Sequence, residues 1–160
     1  MCSSDLTSAK QALLREVQAE ARHEAALAIQ ELYQDSKPMT TDVCVPISEL
    51  PGALRHARDT IASRGFEGTI LGHVGDGNYH AVFPVDPQDP ADLERAKAVN
   101  AEIVAYALAR GGTCTGEHGV GSGKMEDLKK EHGDSLPFMR GIKRLADPNG
   151  VLNPGKLFPD

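Results

Sequence analysis

The sequence predicts an α+β fold, one antiparallel sheet with helices packed beside it. Two observations predict it. Between Asp42 and Thr115, short β-branched runs and longer amphipathic stretches alternate in the order β-α-β-β-α-β, with Gly, Pro and Asp at the boundaries. Near the middle, Asp76-Gly77 separates two apolar runs, and Asp-Gly is the strongest short-range hairpin signal. Together they give the split βαβ pattern of ferredoxin-like sheets, followed here by a helical C-terminal extension.

The elements follow in order. From about Ser8 to Tyr33, a loose 3.6-residue stripe of Ala12, Leu13, Val17, Ala21, Ala25, Ala28 and Leu32 predicts one long helix. The loop Asp35-Ser36-Lys37-Pro38 ends it, since proline cannot continue a helix. Residues 1–36 are thus an N-terminal helix, and residues 37–160 the domain proper. Asp42-Val43-Cys44-Val45-Pro46 is short and β-branched and predicts a strand. Ser48 has N-cap chemistry, and Pro51 suits the first turn of a helix running through Leu54, Ala57 and Ile61 to Gly65.

Gly68 to Gly75 and Asn78 to Val85 form the hairpin arms. A type I′ turn at Asp76-Gly77 sets Val74 opposite Tyr79 and His73 opposite His80. The turn-rich Asp86-Pro87-Gln88-Asp89-Pro90 leads into a helix from about Ala91 to Arg110, whose Ala96, Val99, Ile103, Val104 and Leu108 give an apolar face. Gly111-Gly112 stops it, and Thr113-Cys114-Thr115 is a short strand candidate. Helical stretches near Met125–His132 and Pro137–Asp147 precede the tail Val151-Leu152-Asn153-Pro154-Gly155-Lys156.

Composition narrows the function classes. The 160 residues suit one domain with an appended helix. With no Trp, three Tyr and four Phe, the core must be mostly aliphatic. A formal net charge of -6 with no basic stripe argues against a nucleic-acid partner. Cys2, Cys44 and Cys114 are odd in number and form no Cys-x-x-Cys pair, which fits free thiols in a reducing compartment. The start Met1-Cys2-Ser3-Ser4-Asp5 has no secretory n-region, and no run approaches ~18 apolar residues. The expectation is an unprocessed chain without a transmembrane segment, cytoplasmic, or mitochondrial in a eukaryote.

Two stretches carry chemistry. In the first, cross-strand His73 and His80 share a sheet face with Cβ atoms about 4.5–5.5 Å apart, so two imidazoles can converge on one metal ion. A one-residue slip would separate them. In the second, Gly112-Thr113-Cys114-Thr115-Gly116-Glu117-His118-Gly119-Val120-Gly121, the strand end brings Glu117 and His118 toward that pair. Two histidines and a carboxylate leave coordination positions open for substrate or water. The surrounding glycines fit close approach of backbone to a ligand or cofactor. A phosphate cradle is the competing reading, but Gly119-Val120-Gly121-Ser122-Gly123-Lys124 matches neither G-x-x-x-x-G-K-S/T nor G-x-G-x-x-G. Blander roles suit the remaining candidates. His23, His56 and His132 read as solvated, Cys44 and Cys114 as small buried hydrophobes, Asp76 as a turn residue, and Asn153-Pro154-Gly155 as a helix stop.

Gly72-His73-Val74-Gly75-Asp76-Gly77-Asn78-Tyr79-His80, the Thr-Cys-Thr-Gly-Glu-His run and Leu152-Asn153-Pro154-Gly155-Lys156, in that order, resemble the C-terminal domain of the FAD-linked oxidases. This is the 2-hydroxy acid branch of the vanillyl-alcohol oxidase superfamily. With Thr41-Asp42-Val43-Cys44-Val45-Pro46-Ile47-Ser48, the spelling is most similar to the cytochrome-type D-lactate dehydrogenases, with glycolate oxidase subunits and D-2-hydroxyglutarate dehydrogenases as relatives. The resemblance runs from about Ala21 to Phe158. It implies that His73, His80 and Glu117 hold a divalent metal, Zn or Mn. It makes His118 the catalytic base and sets Asn153 near the flavin. Arg22 then grips the substrate carboxylate, as a planar guanidinium can through two parallel bonds.

The implied reaction takes D-lactate to pyruvate with hydride passing to FAD, and an acceptor such as a cytochrome or flavoprotein takes the electrons onward. Two departures qualify this. Hydroxyglutarate-specific relatives carry an asparagine where this chain has Val82, which favours lactate-like or glycolate-like acids. Family members also begin with an FAD-binding domain for which this chain has no room. The expectation is therefore the substrate and cap half of such an enzyme, a fragment or one piece of a split gene, inactive alone and needing an FAD-binding domain or subunit. A metal-binding module without turnover and a metal-dependent hydrolase are the alternatives.

Overall fold

A computed structural model describes residues 36–158. The expected long N-terminal helix, with Arg22 on it, lies outside the described residues. The sheet is organised by β4 (Asn78–Val85), which pairs antiparallel with β1 (Lys37–Thr40), β2 (Val43–Cys44) and β3 (Thr69–Leu71). Lys37 lies opposite Val85 and Val43 opposite Tyr79, so β1 and β2 share one alignment on the same edge of β4. They are one strand interrupted at Thr41-Asp42, where the Thr41 N–H still donates to the Ala81 carbonyl at 2.9 Å. β3 takes the other edge of β4. A single bridge from Cys44 to Thr113 extends the sheet beyond β2. The spatial order is Thr113, β1/β2, β4, β3, which is the ferredoxin-like order with its last strand reduced to one rung.

β4 turns successive side chains to opposite faces, as any strand does. Tyr79, Ala81, Phe83 and Val85 point into the main core with α1 (Leu50–Ser63) and α2 (Pro90–Leu108), which contribute Ala53, Ala57, Ile61, Ala96, Val99, Ile103 and Ala107. Asn78, His80 and Val82 occupy the opposite face. The alanines on both helices let them seat close on the sheet, as the scarcity of aromatics requires. Asp89 caps α2, its side chain accepting the Ala91 N–H at 2.9 Å. Beyond the sheet, α3 (Met125–His132) and α4 (Leu136–Ala146) form a second small core of Val120, Leu128 and Leu136. The outer face of α4 leaves Phe138, Ile142 and Leu145 exposed. Cys114 is fully buried, and burial followed by the Glu131 carboxylate pushes its thiol up to about 12, so it is the inert apolar filler expected. Cys44 is half-buried.

Three details differ from the sequence expectation. Lys37–Thr40 is a strand rather than a loop, because Pro38 sits at a β-edge where it forfeits no helix bond. Ser48 lies inside a short 3-10 turn, Ile47–Glu49, and makes no cap bond, so Glu49 precedes the helix. The hairpin register also shifts by two residues: Leu71, not His73, stands opposite His80. The cause is the turn. A type I′ turn needs positive φ at both central residues, but here Gly77 alone adopts it, at 79°. Val74–Asp76 instead forms a 3-10 turn, with the Asp76 N–H donating to the His73 carbonyl at 2.9 Å. A shift of two keeps side chains on the same face, so His73 remains on the side of His80.

Candidate active site

The face of the sheet turned away from the helices carries an open cleft of about 480 Å³. Its walls are Thr40, Leu71, Gly72 and Val82, and its polar groups are His73, His80, Glu117 and His118. Four site residues expected from sequence are thus brought together. Glu117 lies at their centre. Its Oε1 is 3.0 Å from His80 Nε2 and 3.5 Å from His118 Nε2, while its Oε2 is 3.5 Å from His73 Nε2. One donor atom each from His80, Glu117 and His118 falls within 4.8 Å of the others. The His80 and His118 rings meet edge to face, centroids 5.1 Å apart.

His80 is the buried anchor and the other three are open to solvent. Its Nδ1 faces the Thr41 carbonyl at 3.2 Å, and a carbonyl can only accept, so Nδ1 carries the proton. In the neutral ring Nε2 then offers a lone pair toward a carboxylate oxygen. Two acceptors 3.0 Å apart call for positive charge between or beside them, either a second proton on the ring or a cation held by both. Imidazole and carboxylate donors together suit zinc, manganese or iron. The donor set therefore fits a divalent metal, with the ring oriented from behind in the usual manner of metal-binding histidines.

Asp42, to which the sequence reading gave no role, lies beneath the cleft. It is 4% exposed and accepts the backbone N–H groups of Gly116, Glu117 and His118 at 3.1 to 3.3 Å. Asn78 Nδ2 and Lys124 Nζ complete its shell, each at 3.0 Å. Burial raises the Asp42 carboxyl, but the His118 N–H, Lys124 and Asn78 outweigh it and bring it to about 2. The available signal was propensity: Asp and Asn are depleted in strands, and Asp42 and Asn78 both stand in strand sequence.

At Gly116 the Asn78 amide and the Asp42 carboxylate leave no space for a side chain. A Cβ there would come within 2.5 Å of Asp42 Oδ1 and 1.8 Å of Asn78 Nδ2, whereas Gly119, Gly121 and Gly123 face open space. Asn153, at φ 46°, lines a separate cleft of about 370 Å³ with Gly121, Lys143 and Lys156, and does not border the histidine cleft.

Fold and site together define an α+β domain in which His80 of an antiparallel sheet meets His73, Glu117 and His118 from adjoining loops. The family described as FAD linked oxidases, C-terminal domain, matches residues 3–157, and the chain belongs to that family. It is 42% identical over 139 residues to a probable mitochondrial D-lactate dehydrogenase of Danio rerio, covering 86% of this chain and 28% of that protein. It is 41% identical over 139 residues to the mitochondrial D-lactate dehydrogenase (cytochrome) of Arabidopsis thaliana, covering 86% and 24%. With the glycolate oxidase subunit GlcD of Bacillus subtilis it shares 39% over 142 residues, 87% and 29%. The chain thus spans 24 to 29% of the length of these relatives. Among the described residues, no helix is long and apolar enough to cross a membrane.

Proposed function

We propose that this chain is the substrate- and metal-binding C-terminal part of an FAD-dependent D-2-hydroxy acid dehydrogenase, with D-lactate as substrate. The observation that carries the reading is the convergence of His73, His80, Glu117 and His118 in one cleft. His73, His80 and Glu117 would hold a zinc or manganese ion, which would supply Lewis-acid polarisation of the substrate's oxygens. FAD, supplied mainly by an FAD-binding domain or subunit, accepts hydride when bound. Asn153, in its separate cleft, is the residue of this chain that would lie near the flavin.

His118 has the access a general base needs, its side chain 64% exposed at the mouth of the cleft. In the proposed step the substrate O–H bond breaks and its proton goes to His118 Nε2. The C2–H bond breaks with its electron pair, and the C2–O bond becomes the carbonyl of pyruvate. Glu117 Oε1 lies 3.5 Å from His118 Nε2 and orients the ring. Arg22 holds the carboxylate of the substrate. Val82, 7% exposed and lining the cleft, offers no polar contact to a second carboxylate, which supports a small monocarboxylic acid. Electrons pass on to a cytochrome or flavoprotein, and a eukaryotic version works in the mitochondrion.

The test begins with metal content in the purified chain beside a His73→Ala, His80→Ala double variant. Metal in the first and none in the second is expected, and equal negligible metal in both removes the site. Adding a flavin domain in trans should restore dye reduction with D-lactate. A folded, metal-loaded complex that oxidises no 2-hydroxy acid refutes the dehydrogenase and leaves a binding module, and chelator-sensitive ester hydrolysis would instead identify a hydrolase.

A further inference from the structure

We propose that Asp42 is the positioning residue of this site, fixing the loop that carries Glu117 and His118 so that their side chains meet His80 before any ligand arrives. The inference rests on the reading of the cleft as a metal and substrate site. Asp42 does not line that cleft. Its contacts run backward instead, to three successive backbone N–H groups at Gly116, Glu117 and His118. Three consecutive amides turned toward one carboxylate fix the peptide planes on either side of Glu117, and with them the direction of its side chain. A carboxylate does this better than a neutral group, because charge-assisted bonds are shorter and stronger.

The same carboxylate reaches the second half of the site. Asp42 Oδ1 lies 3.6 Å from His80 Nδ1, on the ring edge away from Glu117. Lys124 closes the arrangement from the far end of the glycine-rich segment, its Nζ donating to the Asp42 carbonyl at 2.7 Å and to Oδ2 at 3.0 Å. Asp42 therefore ties a residue of β4 to a loop 37 residues further along, between His80 and Glu117. Gly116 admits the arrangement, since any larger residue would push the loop off the carboxylate.

The experiment uses the full chain and two readouts. Amide hydrogen exchange, without metal, reports whether Gly116, Glu117 and His118 are held, and titration with Zn²⁺ or Mn²⁺ alone reports whether the donors converge. Asp42→Asn keeps the shape and removes the charge. Gly116→Ala leaves Asp42 intact and displaces the loop.

Both variants are expected to speed exchange at the three loop amides at least tenfold, to leave Ile103 in the core unchanged, and to weaken metal binding by roughly 10–100-fold. The proposal is overturned if the loop stays protected in folded Asp42→Asn. It is equally overturned if protection is lost while metal affinity stays within about twofold of wild type. If Asp42→Asn does not fold, Gly116→Ala decides by the same two measurements. If the wild-type chain itself binds neither metal, the metal reading fails, and loop exchange alone decides whether Asp42 positions Glu117 and His118.

Discussion

Thr41 and His80 are joined across the sheet by a bond that an unbroken strand pair could not make. The Ala81 N–H donates to the Thr41 hydroxyl at 2.9 Å rather than to the Thr41 carbonyl, and this leaves the carbonyl to receive His80 Nδ1 at 3.2 Å. Thr41→Val keeps the shape and β-branching but removes the acceptor for a buried N–H, at a cost of about 1–3 kcal/mol. Thr41→Ser should retain both bonds. Urea unfolding measures the loss, and nitrogen shifts of the His80 ring report whether its tautomer is still fixed. A Val variant as stable as wild type, with the ring unchanged, would contradict this account.

Glu117 meets three histidines through two oxygens. Glu117→Gln, which preserves volume, should therefore weaken zinc or manganese binding by at least the ~10–100-fold seen when a residue behind a metal ligand is changed. Calorimetric titration of the folded variant checks it, and unchanged affinity would remove Glu117 from the ligand set.

The loop between β3 and β4 makes opposite demands on two of its glycines. At Gly77, φ is 79° and a Cβ would fall 2.0 Å from the Val45 carbonyl oxygen, so Gly77→Ala should cost more than about 2 kcal/mol. Gly75 has open space and no positive φ, so Gly75→Ala should be neutral or add about 0.4–1 kcal/mol. Equal effects at the two positions, read from denaturation midpoints, would contradict the 3-10 turn.

Asp147 supplies a pH-dependent contribution remote from the cleft. The Lys143 ammonium and the Leu152 N–H, with a further bond from the Val151 N–H, hold its carboxyl below the ordinary 3.8. The folded state thus binds its proton less readily than the unfolded chain. The stability it contributes is complete above pH 3.8 and is lost as pH falls through its lower folded value. Asp147→Asn should flatten that acid limb in denaturation curves taken between pH 5 and 2, and an unchanged limb would show that other carboxylates set it.

Most of the sheet and the four α-helices of the described region could be read from periodicity and punctuation, because each is long enough to show its period or is closed by Gly or Pro. The failures are local and have causes. Pro38 was read as the end of a helix, yet a proline is equally at home on a strand edge, and only the partner strand decides between them. The hairpin register rested on Asp76-Gly77 as a two-residue turn. The loop runs from Gly72 to Gly77 instead, and the site survived only because the slip was even. His73, His80, Glu117 and His118 were legible as chemistry. Asp42 was not, because its role is expressed through backbone amides 74 to 76 residues away, which leave no mark in local spacing.

The interrupted strand also ties assembly of the cleft to folding. Thr41 and Asp42 at the break, His73 and His80 around the hairpin, and Glu117 with His118 beyond α2 come together only when the sheet has formed. The unfolded chain lacks this arrangement of donors. An ion bound there at a hundred times its dissociation constant adds about 2.7 kcal/mol to the stability of the domain. Its melting temperature should then rise with metal concentration, so thermal shift can measure occupancy even where no turnover can be seen.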